Sequence, residues 1–199
     1  MIKNILVAAA IGAAAFGAHS NEVTNGSFES NSLNGSEYCY GCGATGWTGE
    51  ILLSSTSPAW NSPQNNNPAS ISFGTTIDAL QQGETLTSSF DFVAGHTYTL
   101  TWDDAGRTSY GTHSYDVLAG GQTFAFTTID GQAWGQESVS FTANASSALV
   151  FQGIFNGGDN TSFIDNVSVI TTAVPEPTSL LMMGVATLGL LAWRRRAKI

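Results

Sequence analysis

Positive charge is nearly missing from this sequence. Its 199 residues include six Lys or Arg and fifteen Asp or Glu, and five of the six cations lie before residue 21 or after residue 177. Arg107 is the single cation of residues 21–177, which hold all fifteen acids, so this segment has a net charge of −14. Such a surface repels nucleic acid and anionic lipid head groups. It suits a soluble extracellular domain, including one that binds divalent cations, and we expect no nucleic-acid partner.

Catalytic motifs are missing as well. The sequence has no G-x-S-x-G nucleophile elbow, no H-E-x-x-H zinc motif and no phosphate-binding glycine pattern. His96 and His113 have no recognisable Ser or Cys partner. Asp103 and Asp104 are adjacent carboxylates, but neighbours in a strand point to opposite faces, so we interpret them as a solvated pair rather than as glycosidase acids. The sequence therefore predicts that the protein is not an enzyme, with a polysaccharide-active enzyme as the alternative.

Helical periodicity is missing from residues 21–173, whereas short runs of alternating apolar and polar residues are frequent. Roughly eight to ten strands at this spacing are typical of sandwiches and jelly rolls. We therefore predict one all-β domain at 21–170, a β-sandwich or a jelly roll. The predicted strands include 23–30, 47–53, 86–92, 98–102, 115–117, 124–126, 139–141, 149–151 and 163–169.

Turn residues predict how some of these strands are joined. The segment 93–96 separates two alternating runs and predicts a hairpin, and Gly120-Gly121 predicts a second one because Gly adopts the positive φ that a tight hairpin needs. In the last strand, Phe163, Val167 and Val169 are predicted to share one face.

Only two cysteines are present, Cys39 and Cys42, in the sequence C-Y-G-C. A structural zinc site needs more such ligands, and the chain has no second cysteine pair. Because the chain ends described next indicate export, we predict a local disulfide that closes a glycine-rich loop. The ring is small, so its effect on global stability is expected to be modest. A redox-active thiol pair is the alternative.

The first twenty residues are organised like a secretory signal peptide. Lys3 precedes an apolar run from Ile5 to Phe16, and Ala18-His19-Ser20 fits a small-x-small cleavage site. We predict a signal helix at 1–20 that directs the chain to the Sec export machinery and is removed before Asn21. A retained N-terminal anchor is the alternative.

The C-terminal end has three parts in a fixed order. A linker at 171–177 contains Pro175-Glu176-Pro177, an uncharged run covers 178–193, and a basic tail at 194–199 contains Arg194, Arg195 and Arg196. A helix over the uncharged run would reach roughly 24 Å, slightly less than the hydrocarbon core of a bilayer. Snorkelling arginines make such a short span tolerable. We predict one transmembrane helix at 178–193 with the basic tail in the cytoplasm.

This tail resembles the PEP-CTERM sorting signal of Gram-negative bacteria. The resemblance rests on Pro175-Glu176-Pro177, the apolar span and the arginine cluster, in that order. It implies that the inner membrane holds the precursor until an exosortase-type transpeptidase removes the tail near Pro175–Pro177. The product would then reach the cell surface or the extracellular matrix. An ordinary single-pass anchor with a chance Pro-Glu-Pro is the alternative.

A second resemblance concerns both ends of the β-rich segment. The motifs are V-T-N-G-S-F-E-S at 23–30, G-W-T at 46–48, A-L-V-F-Q-G at 148–153 and S-F-I-D-N-V-S-V at 162–169. They look like parts of the galactose-binding-like jelly roll found in many carbohydrate-binding modules and bacterial surface proteins. The resemblance implies that the first and last strands lie close together, where several members hold a structural calcium ion, and it implies Glu29 as one carboxylate there.

Asp165 suggests a cation at this place on independent grounds. It has the strand parity of Phe163, Val167 and Val169, so a core-facing strand would bury its carboxylate. A buried carboxylate is costly unless it gains hydrogen bonds, a cation or a proton. Arg107 and calcium are the candidate cations. The alternative places Asp165 at the strand mouth, bonded to backbone N–H groups, with Glu29 in solvent.

Aromatic residues in polar loops are the main indication of ligand binding, because sugar rings stack on exposed Trp and Tyr faces. Trp60 lies in a polar loop broken by prolines, and Tyr110 lies in another loop, with Arg107 nearby as a hydrogen-bond donor. These three are the candidate ligand-binding residues, and Tyr38 and Tyr40 flank the cysteine loop. For Trp60 the alternative is a loop residue that covers an apolar patch. The tryptophans that adjoin strands are predicted to lie in the core: Trp47, Trp102 and Trp134.

Together these features predict an exported, non-catalytic protein of the cell surface or extracellular matrix. Binding of carbohydrate or exopolysaccharide is the sharper hypothesis, with Trp60 and Tyr110 as the first residues to test. A structural biofilm or surface protein without a ligand and a polysaccharide-active enzyme are the alternatives. An ice-binding protein is a minor alternative, because no repeated Thr-x-Thr ladder is obvious.

We expect the mature protein to be recovered outside the cytoplasm, without residues 1–20 and without the tail that follows Pro-Glu-Pro. The physical reason is that the apolar, arginine-capped segment holds the chain end in the bilayer. Intact-mass measurement on cytosolic, membrane and extracellular fractions checks this. A product found in the cytosol with both termini intact would contradict the export and the matrix role.

Overall fold

The computed structural model describes residues 21–30, 33, 35–62 and 74–172. Within these ranges every regular element is a strand, and no helix there is long and apolar enough to cross a membrane. Several predicted features lie outside the described residues, namely the signal helix 1–20, the motif Pro175-Glu176-Pro177, the span 178–193 and Arg194, Arg195 and Arg196.

Eleven strands form two antiparallel sheets, which confirms the predicted all-β sandwich. Sheet A has the order β1-β3-β4-β11-β6-β9, and sheet B has the order β2-β5-β10-β7-β8. The predicted strand 47–53 is divided between β2 and β3, which belong to opposite sheets. The strands are β1 (Tyr38–Tyr40), β2 (Trp47–Thr48), β3 (Ile51–Ser54), β4 (Thr76–Gln81), β5 (Thr85–Phe92), β6 (Thr97–Gly106), β7 (His113–Ala119), β8 (Gln122–Thr128), β9 (Gly135–Thr142), β10 (Ser147–Gly153) and β11 (Thr161–Thr171).

The last eight strands have the connectivity of a jelly roll. From β4 to β11 the chain contributes β4-β11-β6-β9 to one sheet and β5-β10-β7-β8 to the other. This order places the first and last of the eight strands side by side, as two nested Greek keys require. The strand order therefore confirms the predicted jelly roll, and the three short strands β1 to β3 extend its sheets.

Of the two predicted hairpins, one is confirmed and one is wrong. β7 and β8 pair through Gly120 and Gly121, whose φ values of 57° and 75° suit a tight turn. β5 and β6 lie in different sheets, so the turn at 93–96 carries the chain from one sheet to the other. Their apolar faces meet across the core, and alternation alone does not distinguish this arrangement from side-by-side pairing.

The predicted first strand at 23–30 is also wrong, because this segment is a series of turns. It nevertheless runs beside the last strand. Glu22 N–H donates to the Val169 carbonyl, and Val167 N–H donates to the Gly26 carbonyl, both at 2.8 Å. The two ends of the domain are therefore close, as expected, but they are joined by separate hydrogen bonds instead of a regular ladder.

Two apolar clusters stabilise the sandwich. The larger lies between the sheets and contains Trp47 and Trp102, as predicted. The smaller lies on the other face of sheet A, since its strand residues alternate with those of the larger cluster, and Trp134 packs against it while only partly buried. Each buried large apolar side chain contributes about 1.5–3 kcal/mol. The smaller cluster consists of Ile51, Leu53, Trp60, Ile77, Ala79, Ala105 and Phe163.

A β-bulge in β11 changes which of its residues share a face. The register of β11 against β6 shifts after Asp165, and Asn166 has a φ of 50°. Phe163 therefore packs in the smaller cluster, whereas Val167 and Val169 pack between the sheets. The expectation that these three apolar residues share a face is wrong because the bulge inserts an unpaired residue. Asp165 has the parity of Phe163 and is fully buried.

The prediction that Asp103 and Asp104 are solvated is wrong, because both lie inside β6 and are buried. The Tyr115 hydroxyl donates to Asp104 Oδ2 at 2.7 Å and accepts the Trp102 indole N–H at 2.9 Å. Gln132 donates its side-chain N–H to Asp104 Oδ1 at 2.9 Å. Burial raises the pKa of Asp104 to about 6. Asp104 thus belongs to a hydrogen-bonded network inside the sandwich, and Asp103 points to the other face.

Hydroxyl side chains form a short ladder between β6 and the edge strand β9 of sheet A. Thr97 and Thr99 face Thr142 and Ser140, with oxygen–oxygen distances of 2.9 and 3.0 Å. The sequence T-Y-T-L-T at 97–101 places its threonines on one face of β6. Because its hydroxyls are bonded to one another, the ladder stabilises the pairing of β6 with the edge strand β9.

The two ends of the sandwich carry different parts of the chain. The loops after β4, β6, β8 and β10 gather at one end, which we call the distal end. The turns after β5, β7 and β9 lie at the opposite end, where Thr172 N–H donates to the Thr97 carbonyl as the chain leaves β11. Because β6 has 10 residues at about 3.3 Å each, roughly 30 Å separates the two ends.

His113 is a fully buried histidine at the start of β7. Its Nδ1 lies 2.9 Å from Ser162 Oγ, which lies 2.7 Å from Thr128 Oγ1. Among the described residues its Nε2 has no hydrogen-bond partner. Desolvation lowers the pKa of His113 to about 4, so the neutral ring is favoured in the folded protein.

We expect His113 to make the protein less stable in acid. The unfolded chain takes up a proton below the ordinary pKa of 6.5, whereas the folded chain does so only below about 4. The free energy of unfolding therefore falls as the pH drops through this window, by up to about 3 kcal/mol. Urea denaturation between pH 7 and pH 4 should show a smaller fall for His113→Gln than for the wild type. Equal falls would show that this histidine does not set the acid stability.

Candidate functional site

The structure brings together the three residues that the sequence indicated for ligand binding. The Arg107 guanidinium lies 3.6 Å from the centre of the Tyr110 ring and 5.0 Å from the centre of the Trp60 ring. Its Nε donates to the Trp60 carbonyl at 3.0 Å, and its Nη1 forms a 3.0 Å ion pair with Asp159. Arg107 therefore connects the loops that follow β3, β6 and β10.

Trp60 and Tyr110 do not present free ring faces. Trp60 is only 5% exposed and belongs to the smaller apolar cluster, so the expectation that its ring is exposed for stacking is wrong and the alternative of a loop cover is found. Tyr110 is half-buried, and the Arg107 guanidinium stacks on its ring. Such cation–π contacts are worth about 0.5–2 kcal/mol each. Arg107, Trp60 and Tyr110 therefore pack against one another and hold the loops of the site in place.

Tyr38 and Tyr40 supply the exposed aromatic surface instead. Both lie on β1, and they are 42% and 60% exposed. Their ring centres are 5.9 Å apart at an interplanar angle of 87°. The Trp60 ring lies 5.9 Å from Tyr38 and 6.2 Å from Tyr40. The three rings form an edge-to-face and tilted cluster, not a coplanar pair.

A cavity of about 200 Å³ opens beside these rings, and we call it the aromatic pocket. It is smaller than the ~300–1,000 Å³ typical of sites for drug-sized ligands, so it suits one or two small rings. Asp159, 57% exposed, accepts from Gln81 Nε2 at 3.1 Å and from Arg107 Nη1 at 3.0 Å. The pocket is lined by Tyr38, Tyr40, Ala59, Trp60, Gln81, Arg107 and Asp159.

Sequence reasoning missed Gln81 and Asp159. They are 78 residues apart, and only the pairing of β4 with β11 brings them together. The turn G-G-D-N around Asp159 marks a loop but not a ligand site. No local pattern in the sequence could have joined these two residues to the tyrosines.

Glu37, the residue before β1, binds the Trp60 loop through two hydrogen bonds. Its Oε1 accepts the Ser57 hydroxyl at 2.6 Å and the Ala59 N–H at 2.9 Å. These two hydrogen bonds lower the pKa of Glu37, because they favour its charged form. The loop also reaches the segment that follows β6, where Asn61 Nδ2 donates to the Thr108 carbonyl at 3.3 Å. The pocket wall is therefore held on both sides.

The predicted disulfide between Cys39 and Cys42 is present. Cys39 is half-buried and Cys42 is exposed. The bond lies at the C-terminal end of β1, next to the exposed Tyr40.

The second candidate site is the pair of carboxylates Glu29 and Asp165. Asp165 Oδ1 accepts the Asn166 N–H at 2.7 Å, whereas its Oδ2 is buried and has no partner among the described residues. Burial raises the pKa of Asp165 to about 8, with smaller contributions from the charges of Glu29 and Asp103. The proposed alternative cation, Arg107, pairs with Asp159 instead and does not serve this carboxylate.

Glu29 is exposed but well bonded. Its Oε1 accepts the N–H groups of Thr75 and Thr76, both at 2.7 Å, and its Oε2 accepts the Thr75 hydroxyl at 2.9 Å. The described residues contain no group of three or more His, Cys, Asp or Glu that could hold a metal ion. The unpartnered Asp165 oxygen fits an oxygen-seeking cation, but such an ion would need backbone carbonyls or water as further ligands.

Comparison with protein families gives a match for the C-terminal tail. Residues 173–196 match the PEP-CTERM protein-sorting motif. The chain therefore carries this motif, as its resemblance indicated, and the motif implies an exported protein that is membrane-anchored before processing. No curated protein matches the chain.

Comparison with solved structures finds several β-sandwich domains. TmCBM61 in complex with beta-1,4-galactotriose is 12% identical, with 77% of this chain and 99% of that chain covered and a TM-score of 0.46. The CBM22-1–CBM22-2 tandem of Paenibacillus barcinonensis Xyn10C is 13% identical, with coverage of 83% and 49% and a TM-score of 0.47. The K2 cleaved adhesin domain of Lys-gingipain is 15% identical, with coverage of 79% and 99% and a TM-score of 0.45.

Proposed function

We propose that this protein binds a neutral, hydroxyl-rich carbohydrate in the aromatic pocket and acts without catalysis at the cell surface or in the extracellular matrix. The observation that carries the proposal is the position of two exposed tyrosines beside a polar cavity, on a wall held by Glu37 and Arg107. A concave site that combines aromatic side chains with well-placed polar groups is typical of small-ligand recognition.

The pocket offers both kinds of contact that a sugar ring uses. The exposed face of Tyr40 suits the C–H face of a pyranose, since aromatic rings bury apolar surface while the phenol hydroxyl stays hydrated. Asp159 and Gln81 supply acceptor and donor groups at the cavity wall. The small volume favours a chain end or a side branch over a long polysaccharide segment.

Charge favours a neutral ligand over an acidic one. The segment 21–177 has a net charge of −14, and its single cation, Arg107, is already paired with Asp159. An acidic polysaccharide would meet repulsion at long range and no free cation at the pocket. We infer that uronate-rich polymers bind more weakly than neutral ones.

The tail and the pocket lie at different ends of the domain. The chain leaves β11 beside Thr97, whereas Arg107, Gln81 and Asp159 lie at the distal end, roughly 30 Å away. In our proposal the Sec machinery exports the chain, the inner membrane holds its tail, and an exosortase-type enzyme then releases it. The pocket would face away from the membrane while the tail is still anchored.

We expect Tyr40→Ala to weaken retention on neutral polysaccharide by about tenfold, because the loss of one stacked ring removes about 1.4 kcal/mol. Affinity electrophoresis in gels that contain xylan, galactan or β-glucan measures this, and an alginate gel tests the preference for neutral chains. Phe155→Ala is the matched control, since Phe155 is 74% exposed but does not line the pocket.

Three results would change the proposal. Equal retention of Tyr40→Ala and the wild type on a gel that binds both would rule out the aromatic pocket as the binding site. No retention of the wild type on any gel would favour a structural surface protein without a ligand. Release of reducing sugar, lost in Asp104→Asn, would favour the polysaccharide-active enzyme.

We further propose that a calcium ion binds at Asp165 and Glu29 and stabilises the junction of the two chain ends. The support is the buried, unpartnered Oδ2 of Asp165, because an unsatisfied buried carboxylate oxygen is costly. The ion would complete the contacts between the turns at 23–30 and β11. Its role is structural and separate from the aromatic pocket.

We expect calcium to raise the melting temperature of the mature domain by several degrees, because binding to the folded state alone shifts the folding equilibrium. Differential scanning fluorimetry in excess CaCl2 and in EDTA measures the change. Asp165→Asn should lose the response, whereas Asp159→Asn, a control carboxylate at the distal end, should keep it. An unchanged melting temperature of the wild type would rule out the site.

A further inference from the structure

The disulfide begins on the side of β1 that is opposite the aromatic pocket. Cys39 is the middle residue of β1, between Tyr38 and Tyr40. Because side chains alternate along a strand, the two tyrosines face the pocket while Cys39 points to the opposite side, where it packs against the cluster between the sheets. The bond to Cys42 therefore links the strand that positions both tyrosines to the turn at 41–44.

Besides the disulfide, β1 is held by the Ser54 N–H, which donates to the Glu37 carbonyl at 2.9 Å, and by the Trp60 ring, which contacts both tyrosines. β1 is an edge strand of three residues, and among the described residues it pairs only with β3. After the strand, Gly41 N–H donates to the Glu50 carbonyl at 2.9 Å, and Gly43 and Ala44 N–H donate to the Glu50 carboxylate at 2.6 and 3.1 Å. A strand this short with one free edge has little pairing energy of its own.

We propose that the Cys39–Cys42 disulfide is a redox control of the aromatic pocket, so that the protein gains its binding ability only when the bond is formed. The proposal rests on the carbohydrate-binding function proposed above. In the dithiol form β1 loosens from β3, and Tyr38 and Tyr40 leave the pocket. Because the cytoplasm keeps thiols reduced and exported proteins meet oxidising conditions, the pocket would be completed after export.

The chemistry is a two-electron exchange. On oxidation the two thiols lose two protons and two electrons to an external disulfide, which becomes a dithiol as the Cys39–Cys42 bond forms. On reduction a small dithiol attacks the exposed sulfur of Cys42, forms a mixed disulfide, and then closes its own disulfide ring as both cysteines are released as thiols.

The effect should be local to the pocket. A ring closed over three residue positions adds less to global stability than a long closed loop would, so we expect its loss to act mainly on 38–44. The remainder of the core does not depend on β1, because the eight jelly-roll strands pair among themselves. The chain has only two cysteines, so a reductant acts on this bond alone.

Hydrogen exchange measured by mass spectrometry tests the proposal without any ligand. Dithiothreitol treatment should raise the exchange rate of peptides that cover 38–44 by at least about tenfold and leave those that cover 149–153 unchanged, because opening of an edge strand is independent of the central strands. The double variant Cys39→Ser/Cys42→Ser should behave like the reduced wild type and should not respond to dithiothreitol.

Affinity electrophoresis on the same xylan, galactan and β-glucan gels supplies the second measurement. Retention should fall at least about fivefold on reduction, whereas Val169→Ala, which destabilises the opposite end of the sandwich, should keep its retention in the oxidised form. Equal retention of oxidised and reduced protein, or unchanged exchange at 38–44, would overturn the redox control and leave the carbohydrate proposal intact. Faster exchange at 38–44 on reduction, with neither the oxidised nor the reduced protein retained on the gels, would support the redox sensitivity of β1 and overturn the carbohydrate ligand.

Discussion

One guanidinium holds the distal end of this domain together. Arg107 is almost fully buried, and a buried cation without partners would be very costly. The fold satisfies it with two aromatic rings, the Trp60 carbonyl and the Asp159 carboxylate. The loop that carries Trp60 is thereby pressed onto the outer face of sheet A, where it covers the smaller apolar cluster. The wall of the aromatic pocket exists because of this arrangement.

Excess negative charge determines how the buried carboxylates are stabilised. Residues 21–177 contain a single Lys or Arg, and Arg107 pairs with Asp159, so the buried carboxylates have no basic side chain of this kind to pair with. Asp104 is satisfied by Tyr115 and Gln132, while burial raises the pKa of Asp78 and of Asp165. Such groups are stabilised by a bound proton or by a metal cation.

The sequence-based predictions were confirmed where the physical signal is local and failed where pairing is decided at long range. The Gly120-Gly121 turn and the β7–β8 hairpin follow from backbone preferences of a few residues. The supposed β5–β6 hairpin has the same alternation and a similar turn, yet its strands lie in opposite sheets. Likewise, Trp60 was identified as a site residue from its polar surroundings in sequence, but the loop folds inward and buries it.

By itself the sequence determined the all-β class and the local disulfide, because alternation, turn residues and cysteine spacing are all read along the chain. Its resemblance to known families indicated the jelly-roll type and the sorting tail. Only the tertiary structure decided which aromatic faces remain free. It joined Gln81 to Asp159 by strand pairing, and through the bulge at Asn166 it separated Phe163 from Val167. These outcomes depend on packing between distant segments, and no local pattern records that packing.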